Sequence, residues 1–130
     1  MTLEEALYSH MTNQAGITAL VGTRIYPILM AQTAILPAIV YTRISTVREY
    51  SLSGFTGMTT ARIQIDIMAQ YASTAKTIAD SVRFSLDGFV GLMGDVRIAQ
   101  IMTDDEQAFY DNQTEYKRIM LDFLVTYYED

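Results

Sequence analysis

Cysteine and tryptophan are both absent from this 130-residue chain. Without cysteine there is no disulfide framework, no thiolate zinc site and no thiol nucleophile. His10 is the single histidine, so a histidine-rich metal site within one chain is excluded. Bases are scarce: nine Lys and Arg face fifteen acids, a net charge of −6. Residues 1–103 hold seven of each sign, so the surplus lies in residues 104–130, mostly in DDEQAFYDNQTE, Asp104 to Glu115. A chain this short of cations is poorly suited to neutralising phosphates over a broad surface. Opening on MTLEEALYSHM, it lacks the basic and then apolar order of a signal peptide.

Long hydrophobic runs are nearly absent too. The exception is IYPILMAQTAILPAIVYT, eighteen uncharged residues between Arg24 and Arg43. That is the lower limit for a membrane span, but Pro27 and Pro37 would each interrupt the helix. The run reads instead as a short strand, RIYP, then a crossing loop, ILMAQTA, then the start of a second strand, ILPAIVYT. Ile28, Leu29 and Met30 in that loop need cover, from the domain or from a neighbouring subunit. No membrane association is expected.

Half the residues are apolar and fewer than a fifth charged, the composition of one folded domain over 1–130. Thr2 and Glu5 form a capping box, and Leu3, Ala6, Leu7 and Met11 recur on one helical face. Asn13 to Gly16 loosens that helix, ITAL adds a turn and Gly22 closes it. AIVYTRISTV reads as a strand. REYSLSGFTGMTT reads as a long hairpin loop, with Tyr50, Phe55 and Met58 exposed in it. ARIQIDIMAQY alternates as a half-buried antiparallel strand. Ser73 caps a second helix whose stripe is Ala75, Ile78, Ala79, Val82, Leu86 and Phe89. DVRIAQIMT and YKRIMLDFLVTYY complete the strands, and the second face of the last is half apolar, a hint of a partner. The expected fold is α+β: two main helices packed on one face of a four- or five-stranded, mostly antiparallel sheet.

Catalytic motifs do not assemble. His10 has no Gly-x-Ser-x-Gly elbow to accompany it. Asp104, Glu106 and Glu115 fall at the first, third and twelfth positions of a calcium loop, but Ala108 and Phe109 occupy the fifth and sixth, where an oxygen ligand and a glycine are required. A solvated acidic loop between strands, with Asp104, Asp105 and Glu106 as an electrostatic docking surface, is the better reading. Asp66 and Asp122 each have an arginine four residues earlier, Arg62 and Arg118, and read as sheet ion pairs. The glycines of GFVGLMGD lead from helix to strand, the reverse of a phosphate-cradling loop. No enzyme, cofactor or metal is expected. Nine tyrosines, five phenylalanines and eight methionines exceed what a small core absorbs, which favours a protein interface.

Six segments in order resemble the tail completion, or tail-to-head joining (tail terminator), proteins of long-tailed bacteriophages and prophages. LEEALYSHM looks like the opening helix, ALVGTRIYP the turn and first strand, LPAIVYTRIS the second strand and ARIQIDIMAQ the third. AKTIADSVRFSLDGF is similar to the second helix and RIMLDFLVTYYE to the final strand. Many members carry tryptophan near Met68, and this chain has none. The resemblance implies a structural virion protein of the tail or neck, made in the host cytoplasm. It implies a ring, typically of six subunits, that caps the head-proximal end of the tail tube and docks to the head–tail connector while DNA passes through the lumen without specific binding. Arg48 to Thr60 would make subunit or partner contacts. The alternatives are another neck component such as a stopper subunit, a small metal-dependent hydrolase using Asp104 to Glu106, and an adaptor unrelated to phages.

Overall fold

Two strands whose apolar side chains alternate without interruption hold the centre of the molecule. The computed structural model describes residues 2–28, 35–109 and 117–129. Its elements run α1 (Leu3–Thr12), α2 (Ala15–Val21), β1 (Ile25–Pro27), β2 (Ala38–Ser51), β3 (Gly54–Ala69), α3 (Ala72–Leu86), β4 (Gly91–Met93), β5 (Val96–Phe109) and β6 (Lys117–Tyr128). The strands form one sheet in the order β1-β2-β3-β6-β5-β4. β1 pairs parallel with β2, and all other neighbours are antiparallel.

At the centre, β3 lies against β6 in unbroken register from Met58↔Tyr128 to Ala69↔Lys117. One face of this pair presents Ala61, Ile63, Ile65 and Ile67 beside Ile119, Leu121, Phe123 and Val125, all buried. Period-two alternation makes that face continuous across strands. Leu3, Leu7 and Met11 of α1, Ile17 and Val21 of α2, and Ile78, Val82 and Leu86 of α3 join the same core.

The helix boundaries have local causes. Glu5 N–H donates to Thr2 Oγ1 at 3.1 Å while Thr2 N–H donates to Glu5 Oε1 at 3.4 Å, the reciprocal capping box that starts α1. His10 Nε2 lies 3.0 Å from the Ser85 carbonyl and its ring meets Phe89 edge-on, tying α1 to the end of α3. Tyr71 is the N-cap residue of α3 and makes no side-chain cap, so Ser73 does not cap the helix; the Ser73 carbonyl accepts from Thr77 Oγ1 instead.

The expected architecture is corrected in its counts and its sheet type. Among the described residues there are six strands, not four or five, and three short helices, not two main ones. The sheet is mixed, and 54% of the described residues are strand. ITAL belongs to a separate helix, α2, and GLM is a strand of its own, too short for periodicity to register. Two expected loops are strands. REYSLSGFTGMTT is the end of a two-stranded ribbon whose outermost pairs are Tyr50↔Phe55 and Ser51↔Gly54, leaving a two-residue turn. Gly54 (φ 119°) and Gly57 (φ 90°) supply conformations that other residues rarely adopt, at the turn and at the irregularity opposite Glu49. Asp104 to Phe109, expected as acidic loop, is the second half of β5. Charge alone does not break a strand when its neighbour supplies the ladder.

Candidate interaction surfaces

Three surfaces carry side chains that the core does not use. The first is the β2–β3 ribbon. Cross-strand pairing brings the rings of Tyr50 and Phe55 to 5.7 Å, and both are exposed, as is Leu52 in the turn. Met58 is not at the tip; it is half-buried opposite Tyr128, where β3 has begun to pair with β6. Leu52 escapes sequence reading because a lone apolar residue among serines carries no period. Arg48 clamps the ribbon base, with Nε donating to Glu129 Oε1 at 2.7 Å and Glu129 N–H donating to the Gly57 carbonyl at 2.7 Å. Arg48 holds the Glu129 carboxyl below the usual carboxylate range, chiefly through that hydrogen bond.

The second surface is the end of β1. Ile28 is exposed and has φ 67°, a left-handed conformation that a β-branched side chain rarely adopts. Its N–H donates to the Tyr41 carbonyl at 2.9 Å, which holds it there. Leu29 and Met30 lie outside the described residues, with most of the crossing loop. None of the described helices is long and apolar enough to cross a membrane.

The third is the sheet face opposite the helices. Here the ion pairs run across strands rather than along them. Arg118 Nη2 meets Asp66 Oδ2 at 2.9 Å, and Arg62 Nη1 meets Asp104 Oδ2 at 2.7 Å and Asp122 Oδ2 at 3.8 Å. The expected same-strand partners exchange, because four residues along a strand span about 13 Å and the adjacent strand is only about 5 Å away. Met120 and Leu124 lie half-buried among these charges. Asp66 Oδ1 and Asp122 Oδ1 are buried and have no hydrogen-bond partner among the described residues.

Asp104, Asp105 and Glu106 do not form a common site. Asp104 pairs with Arg62 on the open face, and Glu106 Oε2 accepts from Lys76 of α3 at 3.1 Å on the helix side. Asp105 turns back on the chain, accepting from Glu106 N–H at 2.9 Å and from Gln107 Nε2 at 2.8 Å. Among the described residues, no three His, Asp or Glu side chains gather closely enough to hold a metal ion. Glu115, the third residue of the calcium pattern, lies outside them.

Burial pushes the Asp122 carboxyl above its ordinary range; Arg62 opposes this, and Asp105, Asp104 and Asp66 add to it. A carboxyl with a raised folded pKa costs stability while it is ionised, and the cost is relieved as pH falls through that value. Asp122→Asn is therefore expected to stabilise the fold at neutral pH, by less than about 1 kcal/mol for a group partly reached by water. The gain should shrink as pH falls through the raised carboxyl range. Melting curves of both proteins from neutral to mildly acidic pH would check this; a gain that grows with acidity would contradict it.

Comparison with known proteins then bears on these surfaces. Residues 5–128 match the family described as Tail completion protein gp17. Among solved structures, a chain described as "Virion of native gene transfer agent (GTA) particle" superposes with a TM-score of 0.82 over 97% of this chain and 94% of its own, at 20% identity. At that identity the likeness is one of fold. No curated protein matches the sequence.

Proposed function

This chain belongs to the tail completion protein family, and from that premise we propose that it assembles as a ring that caps the head-proximal end of the tail tube and joins it to the head–tail connector. Its role is structural rather than catalytic, and its place is the tail or neck of the virion. The observation that carries the finer reading is the ribbon: a two-stranded arm ending in Tyr50, Leu52 and Phe55, apolar groups exposed at its tip. Aromatic anchors of that kind contribute most where they enter a partner's pocket. The tail tube protein and the connector are the partners in this reading, with further copies of the chain beside it.

The charges fit a lumen through which DNA slides. Arg43, Arg48, Arg62, Lys76 and Arg118 are each already paired with a carboxylate. A phosphate backbone would have to displace those carboxylates, and the net charge of −6 repels it. DNA contact would then be weak and without sequence preference.

Electron microscopy of particles made without this protein tests the reading. Overlong tails, or finished tails that do not join heads, are the expected result. Joined particles of normal tail length would overturn it, and full heads that leak DNA would identify a stopper instead.

A further inference from the structure

The two ends of the sheet are guarded unequally. β1 covers β2 only from Ile39 to Tyr41, and Ile28 N–H closes the Tyr41 carbonyl. From Thr42 to Ser51 no described backbone pairs with the outer side of β2. Exposed Ile44 and Val47 (67% exposed) lie along that stretch; its charged residues are Arg43, paired with Glu4, Arg48, paired with Glu129, and Glu49, and its ladder to β3 is irregular at Ile44 and Glu49. An open strand edge recruits other strands unless it is blunted.

At the opposite end, the outer edge of β5 is blunted. Gly88 N–H donates to the Ile101 carbonyl at 2.8 Å, and Asp87 Oδ1 accepts from both Thr103 N–H and Thr103 Oγ1 at 3.0 Å. Asp105 covers Glu106 N–H, and Asp104 to Glu106 add charge. Among the described residues the outer edge of β4 is open. Its hairpin to β5 pairs Met93↔Val96 around the two-residue turn Gly94–Asp95, so Leu92↔Arg97 is the next, non-hydrogen-bonded pair. Leu92 thus turns its N–H and C=O away from β5. The side chains of Val90 (71% exposed) and Leu92 (69% exposed) are apolar and uncovered.

We propose that the outer edge of β2 beyond Tyr41 pairs with the β4 edge of a second copy of this chain. Both edges leave backbone groups unpaired among the described residues and carry exposed apolar side chains, and they lie toward opposite ends of one sheet. Each copy can therefore receive one neighbour and offer itself to the next. A contact between two different patches, repeated by rotation, closes into a ring. The inference rests on the ring reading above and names the seam between its subunits.

The absence of cysteine makes the test clean, since each introduced thiol is unique. The full chain carrying Ile44→Cys with Leu92→Cys is treated with a short bis-maleimide, alone and with tail tubes. Both positions are exposed, and circular dichroism confirms that the variant folds. The expected result is a ladder of covalent multimers, with each single variant giving no linked product above background and an equal mixture of the two giving dimers only. Ile44→Cys with Phe84→Cys, the second site being on a helix, should give no ladder. Rings seen by mass in solution, with the Ile44–Leu92 variant remaining unlinked, would overturn the edge pairing and leave the ring standing. Efficient self-linking by Ile44→Cys alone would mean a symmetric β2–β2 contact, and linking to the tube protein a different occupant; either overturns the proposal. No multimer by mass under any condition would overturn the ring and its seam together.

Discussion

Phe123→Ala is expected to cost about 3–5 kcal/mol, the range for removing a fully buried aromatic ring. Phe123 is 1% exposed, on the central strand β6, between Ile63 of β3 and Thr103 of β5. No flexible neighbour can collapse into the space, because the positions on either side of it on that face, Leu121 and Val125, are held in the same ladder. Domains of this size are stable by only about 5–15 kcal/mol, so the melting temperature should fall by roughly 10–20 °C. Phe84 provides the contrast. It is 85% exposed on α3, and Phe84→Ala should stay within about 0.5 kcal/mol of the parent. Calorimetry on the two variants decides this, and a Phe123→Ala protein that melts near the parent would mean that the sheet does not pack as described.

The second large effect concerns assembly rather than stability. Replacing the ribbon tip by Tyr50→Ser, Leu52→Ser and Phe55→Ser together should leave the fold intact. All three side chains are exposed, and the ring pair of Tyr50 with Phe55 that the change removes is worth about 0.5–1.5 kcal/mol. Joining of tails to heads should nevertheless fall by about 100-fold or more, since each buried anchor at an interface contributes about 2 kcal/mol or more. An in vitro joining assay with purified heads and tails, read as infectious or filled particles, checks the loss. Normal joining by the triple variant would remove the ribbon from the interface. Substitution is the sounder test here than cutting out residues 53–57. That cut takes Gly54 and Phe55 from their pairs with Ser51 and Tyr50, and the strand register would have to slip to close the gap.

Part of this was legible because it is local. The capping box at Thr2 and Glu5 and the alternation of ARIQIDIMAQY each follow from a few neighbouring residues, and each is present in the structure; the break expected at Asn13 to Gly16 is narrower, with only Asn13 and Gln14 between α1 and α2. The order of the segments led to the tail completion family, which the match over residues 5–128 shows. Strand ends were illegible where polar or glycine-rich sequence continues a ladder. Neither SLSGFTG nor DDEQAF announces a strand by composition, yet β2 and β6 supply their partners. Asp66 and Asp122 illustrate the same limit: their acidity was plain, but their arginines proved to be each other's expected partners, exchanged across the sheet.

What the sequence alone determined is the set of terms that periodicity and composition fix: a cysteine-free chain, short of cations, with one apolar helix face and two strands that must hide one side. It also determined that the eighteen-residue apolar run is no membrane helix, because prolines at 27 and 37 interrupt it. The tertiary structure decided which strands neighbour one another, and with that everything nonlocal. It put three-residue β1 and β4 at the two ends of the sheet, turned an acidic stretch into a strand, and split Asp104, Asp105 and Glu106 among three different surroundings. Such pairings are chosen by the contacts that close at long separation along the chain, and no window of neighbouring residues contains them.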